Sequence, residues 1–458
     1  MTIDRRSLLA GAAALPGASL VAQANAQNAP AQGGAQGGSQ GLGAAQFGVR
    51  PGADADQSRA LQKAIDQATA RHAPLWLGPG IYKAGGLTLP AGAQLAGVRG
   101  ATRLVSIKNA PLFNAMHANN IALSGLVLDG GKIPLPENGA LVQLADGRDI
   151  RVTDCEIQRA GGTALLCRGT QGQIMGVTII DAGDTAIFSI DGVNMLISGN
   201  IIRGSGNGGI RVWQSQKRDD GTIVADNRID DTAAAAGGSG QNGNAINVYR
   251  AGNVIVRGNQ IRNTAFSAVR GNASSGIQIV GNSCSGIGEV ALYSEFDFEG
   301  AAITGNIVDG AGIGVSVTNF KEGGRLGTVQ GNILRNITTP RPASDPGEGY
   351  GIGIGVEADT AVTGNVIENA AKIGIAAGTG PYLRDVTVTG NVVRNVPFGI
   401  AVSVAKGAGA AVIAHNVITG ARRGAVVGME WDKMVTADLV LVAPGAYPQV
   451  TVSGNQVR

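Results

Sequence analysis

Residues 46-QFGVRPGADADQSRALQKAIDQATARHAPLWLGPGIYKAGGLTLPAGAQLAGV-98 change their hydrophobic period halfway along. In the first half Ala60, Leu61, Ala64, Ile65 and Ala68 recur at helical spacing, so an amphipathic helix is expected over 57–71. Asp56 or Ser58 can cap its start. In the second half PLWLGPG, IYKAGGLTL and QLAGV are short apolar runs cut by Gly and Pro, which read as short strands joined by tight turns. The helix is expected to close the N-terminal end of the β structure that follows.

From about residue 120 a repeat takes over. Gly-Asn or a near variant recurs before an apolar position at Asn200, Asn227, Asn259, Asn282, Asn306, Asn332, Asn365, Asn391, Asn416 and Asn455. Earlier segments, 124-SGLVLDG, 152-VTDCEIQ and 176-GVTIID, extend the series. A period near ~24 residues with two or three short strands per unit specifies a solenoid, because no unit can bury its apolar face alone. Coils stacked at ~4.8 Å pair each strand with the next. Gly and Asn tolerate the left-handed backbone of the turns. The stacked amides can also hydrogen-bond from coil to coil, a structural role. Three longer gaps mark excursions: 233-AAAAGGSGQNGN, 339-TPRPASDPGEGY and 429-MEWDKMVTADLVLVAPGAYP. Loops leaving a rigid coil are the usual walls of a binding groove.

The composition agrees. Of 458 residues 73 are Gly, 44% are apolar and only 15% are charged, too apolar for disorder. A net charge of +3, without a basic stripe, argues against nucleic acid. Cys155, Cys167 and Cys284 form no CxxC, and His72, His117 and His415 lie far apart, so zinc spacing is absent. The cysteines read as small buried apolar residues.

The N-terminus, MTIDRRSLLAGAAALPGASLVAQANAQ, joins Arg5-Arg6 to an apolar run and small residues at Ala24 and Ala26. That is an export signal, cleaved near Ala26 and too short to span a membrane. RR-x-L-L resembles a twin-arginine signal, read by the twin-arginine translocation machinery. The expected layout is a signal peptide over 1–26, a flexible linker over 27–44 and a β-helix over 45–458. Within the last, 45–98 form the cap and first strands and 120–458 the repeat coils. The mature protein is expected to have no membrane span and to be periplasmic or secreted.

Phe47-Gly48, Ala60, Gln62, Ala64-Ile65-Asp66, Pro79-Gly80, Tyr82, Leu87, Leu89-Pro90, Gly92, Leu95 and Gly97 resemble the entry segment of the pectate-lyase-like superfamily. That resemblance implies an all-β, single-stranded right-handed parallel β-helix with an N-terminal capping α-helix. With Arg5-Arg6 and the Gly-Asn coils, the whole chain resembles the twin-arginine-translocated repetitive proteins, a family that brings no established activity. Polygalacturonase motifs are absent apart from bare Asp219-Asp220 and Asp230-Asp231 pairs, and the D-P-H of alginate epimerases is absent.

Chemistry concentrates where the strands after each turn are aligned. Their second position is always Leu, Ile or Val and faces inward, so the third and fifth face outward. The third column includes Arg211, Asn247, Arg270, Tyr293, Ser316, Gly353, Ala376 and Ala401; the fifth includes Trp213, Tyr249, Asn272, Glu295, Thr318, Gly355, Gly378 and Ser403. Tyr293 and Glu295 are expected in one solvent-facing groove with these neighbours. Alternation is expected to continue to Phe298, with Phe296 inward and Asp297 and Glu299 displayed beside Glu295.

These residue types suit a polysaccharide or other cell-envelope glycan. Trp213 and Tyr249 offer flat faces, while Arg211, Asn247, Arg250 and Asn272 can bind hydroxyls and carboxylates. A lyase would use Arg270 or Arg211 to neutralise a uronate and Tyr293 or Tyr249 as base or acid. A hydrolase would pair Glu295 with Asp297 or Glu299. No cofactor is expected, although the acidic run is also compatible with Ca²⁺. The other reading is a non-catalytic envelope scaffold that binds glycan.

Overall fold

The computed structural model describes residues 41–238, 240–338, 349–441, 445 and 447–458. Residues 1–40, which include the expected signal peptide, and most of the excursion at 339–350 lie outside these residues. A helix spans Ser58–Ala70 and buries Leu61, Ala64, Ile65 and Ala68. An Asp56 Oδ1 accepts the Ser58 amide at 2.8 Å at its start. The helical face shares one core with Leu75, Leu77, Leu87 and Leu95 of the first coils, as its period requires.

After the helix the chain is a parallel β-solenoid. Each typical coil supplies one strand to a 16-stranded sheet and two to a 28-stranded sheet. One coil, for example, runs through Leu196–Ser198, Ile201–Ser205 and Gly208–Asp219. Inward positions stack as aliphatic columns such as Ile197, Val224, Val256, Ile279 and Ile303, all fully buried. Leu42–Gly43 already pairs with Leu75–Trp76, so the first coil begins inside the stretch expected to be linker. Among the described residues one strand pair is antiparallel: Gly424–Glu430 folds back on Lys433–Asp438 within the third excursion.

The Gly-Asn turns form a continuous buried ladder. From Asn200 to Asn416 each Nδ2 donates to the Oδ1 of the next asparagine at 2.9 or 3.0 Å. Each Nδ2 also donates to a backbone carbonyl, and each receiving Oδ1 accepts the preceding asparagine's amide, as with Asn282 and Asn306. An amide side chain has two donors and an acceptor with two lone pairs, so the column satisfies itself. Close approach also dictates small residues at the strand start. A Cβ on Gly314 would meet the Gly353 carbonyl oxygen at 2.5 Å.

Candidate functional site

Arg211, Asn247, Arg270, Tyr293 and Ser316 stack in register, as do Trp213, Tyr249, Asn272, Glu295 and Thr318. The clustering expected from the repeat is therefore present, but the face is not open to solvent along its length. Glu295 is 1% exposed, Asn247 2%, Arg211 6% and Arg270 7%. These side chains lie along the sheet and cover one another, and their charges are paired. Glu295 Oε1 accepts from Arg270 Nε at 2.7 Å and from Asn272 Nδ2 at 2.7 Å, and Oε2 accepts from Arg270 Nη2 at 3.0 Å. Glu289, earlier in the same strand Ser283–Glu295, approaches Arg270 Nη1 at 3.5 Å and accepts from Ser267 Oγ at 3.0 Å. Tyr293 lies against the Arg270 guanidinium, 4.9 Å from ring centre to Cζ. Burial, reinforced by the Glu295 charge, pushes the Tyr293 phenol far above its ordinary value.

Asp297 and Glu299 do not join this cluster. Phe296 adopts a left-handed backbone, φ 68°, which ends the alternation and leaves its ring 36% exposed rather than anchored inward. Asp297 pairs with Lys217 at 3.0 Å, and Glu299 pairs with Arg325. The acidic run thus divides among three cations and does not converge on one point. Among the described residues no group of three or more His, Cys, Asp or Glu side chains is arranged to hold a metal ion.

The aromatic part of the expected site forms a ladder. Phe188, Trp213 and Tyr249 meet edge to face at 5.1 and 5.7 Å. Trp213 Nε1 donates to Asn247 Oδ1 at 2.9 Å, and Asn247 Nδ2 donates to the Gly240 carbonyl at 2.9 Å. The excursion after residue 233 thereby folds over the column, and Asn242 Oδ1 accepts from Arg211 Nη2 at 2.9 Å. Desolvation lowers the Arg211 pKa, although Asp184 partly opposes it. Arg250 stacks on Tyr249 with Cζ 4.8 Å from the ring centre. Tyr249, Arg250, Asn272, Lys217 and Asp297 line a cleft of about 420 Å³.

A larger cleft, about 650 Å³, opens farther along the same face. Ala376, Ala401, Ile373 and Phe398 line it together with Trp431, Arg423 and Asp432. Trp431 is 57% exposed, and a Cβ on Gly380 would strike its ring at 2.7 Å, so the indole rests on a glycine backbone. The Arg423 guanidinium lies 4.5 Å from the Phe398 ring centre. An aromatic row, Phe320–Tyr382–Trp431, continues from the cleft with centroid separations of 5.6 and 6.2 Å. The sequence marks the excursion around residue 429 as one of three expected groove walls, and Ala376 and Ala401 as the plain end of the outward column, without joining the two into a site. It also placed Gly353 beside Ser316. The register puts Gly355 there, which makes Glu357 the successor of Thr318. Glu357 is half-buried, burial raises its pKa, and its Oε2 accepts the Asn319 and Phe320 amides at 2.8 and 2.9 Å.

The three cysteines are buried, with desolvation raising Cys155 to about 11 and Cys167 and Cys284 to about 12.

A family model described as a right handed beta helix region matches residues 113–229. No curated protein matches the sequence. Among solved structures, the pre-mature bacteriophage phi29 gene product 12 is similar at a TM-score of 0.53 and 12% identity, over 88% of this chain and 59% of that one. PfbA, a surface adhesin of Streptococcus pneumoniae, aligns at 0.48 and 15% identity, over 87% of this chain and 95% of that one. The catalytic unit of a GH87 α-1,3-glucanase from Streptomyces thermodiastaticus aligns at 0.48 and 16%, over 92% and 69%. The strand order above and the family model identify the fold as a right-handed parallel β-helix closed at its N-terminal end by one α-helix.

Proposed function

We propose that the protein binds an extended polysaccharide on the outer face of its coils without cleaving it. Trp431 carries this reading: it is more than half exposed and lines an open cleft with the small side chains Ala376 and Ala401. A flat indole beside a small-residue floor suits the apolar face of a pyranose ring. Arg423 also lines the cleft and makes no ion pair among the described residues, so its planar fork is available to a carboxylate or hydroxyls. The cleft at Tyr249, Arg250 and Asn272 lies on the same face. Four coil steps, roughly 19 Å, separate Arg270 from Ala376, the length of several sugar units.

The catalytic alternatives find less support. Both oxygens of Glu295 are engaged by Arg270 and Asn272. Asp297 is paired outside the cluster. Arg5-Arg6 and the apolar run behind them support twin-arginine export to the periplasm or beyond, with a cell-envelope glycan as partner. Kinship with the twin-arginine-translocated repetitive proteins belongs to the same proposal.

The test is a panel of neutral and uronate-containing polysaccharides incubated with the full chain. Co-sedimentation and new chain ends, reducing or unsaturated, are read together. Retention without new ends is expected. Accumulating ends would overturn the non-catalytic reading, and retention by none of the panel would overturn the glycan reading.

A further inference from the structure

On the outward side of the strands that follow the Gly-Asn turns, one column becomes aliphatic over five successive coils: Ile307, Ile333, Val366, Val392 and Val417. Ile307 and Ile333 are each 46% exposed, and Val366 and Val417 are each 39% exposed. The preceding members of this column, Arg228, Gln260 and Ser283, are polar. Single exposed aliphatics are ordinary on a protein surface, but a contiguous stripe of roughly 19 Å marks a contact face.

Two residues along each strand runs a second outward column, Asp309, Arg335, Glu368 and Arg394. Its signs alternate. Arg335 pairs with Asp309 at 2.7 Å, whereas Glu368 and Arg394 make no ion pair among the described residues.

We propose that this face pairs with a second copy of the chain, the two coils antiparallel about a two-fold axis lying along the strand direction. Reversing the coil order turns minus-plus-minus-plus into plus-minus-plus-minus. Each charge then meets its opposite: Asp309 faces Arg394 and Arg335 faces Glu368 of the second copy. The aliphatic column meets itself at the same time, Ile333 against Val366 and Ile307 against Val392. A two-fold axis along the coil would set like charges against each other, so the charge pattern selects the antiparallel pairing. The stripe is one residue column wide and five coils long, short of a standard interface, so a weak and reversible dimer is expected.

Sedimentation velocity of the full chain over a concentration series tests this. A reversible monomer–dimer equilibrium is expected. Ile333→Lys and, independently, Val366→Lys point outward and keep the native circular dichroism spectrum. Each raises the dissociation constant by about tenfold or more. Arg335→Glu weakens the dimer similarly, and Arg335→Glu with Glu368→Arg restores it, since the facing charges are exchanged. A monomer at every concentration would overturn the proposal. So would a dimer indifferent to both lysine variants, or one that the double reversal fails to restore. Monomeric chain that binds lipid vesicles through the same stripe would overturn it too.

Discussion

Arg270 and Glu295 meet diagonally, one coil on and two residues along, with Nε and Nη2 of the arginine on the two carboxylate oxygens at 2.7 and 3.0 Å. Both side chains are buried, Arg270 at 7% exposure and Glu295 at 1%. Removing one partner of a buried pair leaves the other charge uncompensated. Glu295→Gln is expected to lower the free energy of unfolding by about 3 kcal/mol, read from denaturant curves against wild type. Unchanged stability would show that the pair is hydrated and free.

The asparagine ladder predicts a second effect. Asn306→Ala removes the acceptor of the Asn282 amide and side chain and the donor to the Ile279 carbonyl. It orphans buried groups on two coils, so a loss of about 3 kcal/mol is expected. An exposed turn asparagine such as Asn369 is the control, with little change when mutated to Gly, which tolerates the same left-handed backbone.

The fold and the columns were legible in the sequence because the Gly-Asn turn resets the register in every coil. Where that reset is ambiguous, the register does not follow from the sequence. In 351-GIGIGVEA, Gly353 and Gly355 look alike, and choosing the wrong one hid Glu357. Depth was not legible either. Alternation tells which side of a strand Glu295 occupies, but its burial depends on how Arg270 and Asn272 lie across it. Those are contacts among neighbours that no single strand encodes. Phe296 broke the alternation through one positive φ, which a bulky aromatic gives no reason to expect.

Asp129 predicts a pH dependence. Its burial raises the pKa, but hydrogen bonds from Arg159, the Gly131 amide and Arg103 outweigh that and hold it below the ordinary carboxylate range. A depressed folded-state pKa contributes stability that is present above the unfolded value and lost as pH falls through the folded one. Asp129→Asn is therefore expected to cost about 2 kcal/mol at neutral pH. That difference should fade as pH drops below the ordinary carboxylate range. A gap between variant and wild type that persists in acid would assign the loss to packing instead.

Calorimetric titration of a retained polysaccharide separates a binding surface at Trp431 from a structural ion pair at Glu295. Trp431→Ala is predicted to weaken binding by about tenfold or more with the unfolding midpoint unchanged, since the indole is largely exposed. Glu295→Gln is predicted to leave affinity unchanged while lowering the midpoint. The opposite pattern, a Glu295→Gln variant of native stability that no longer turns over a polysaccharide while Trp431→Ala still binds it, would place the function at Glu295 and not at the Trp431 cleft.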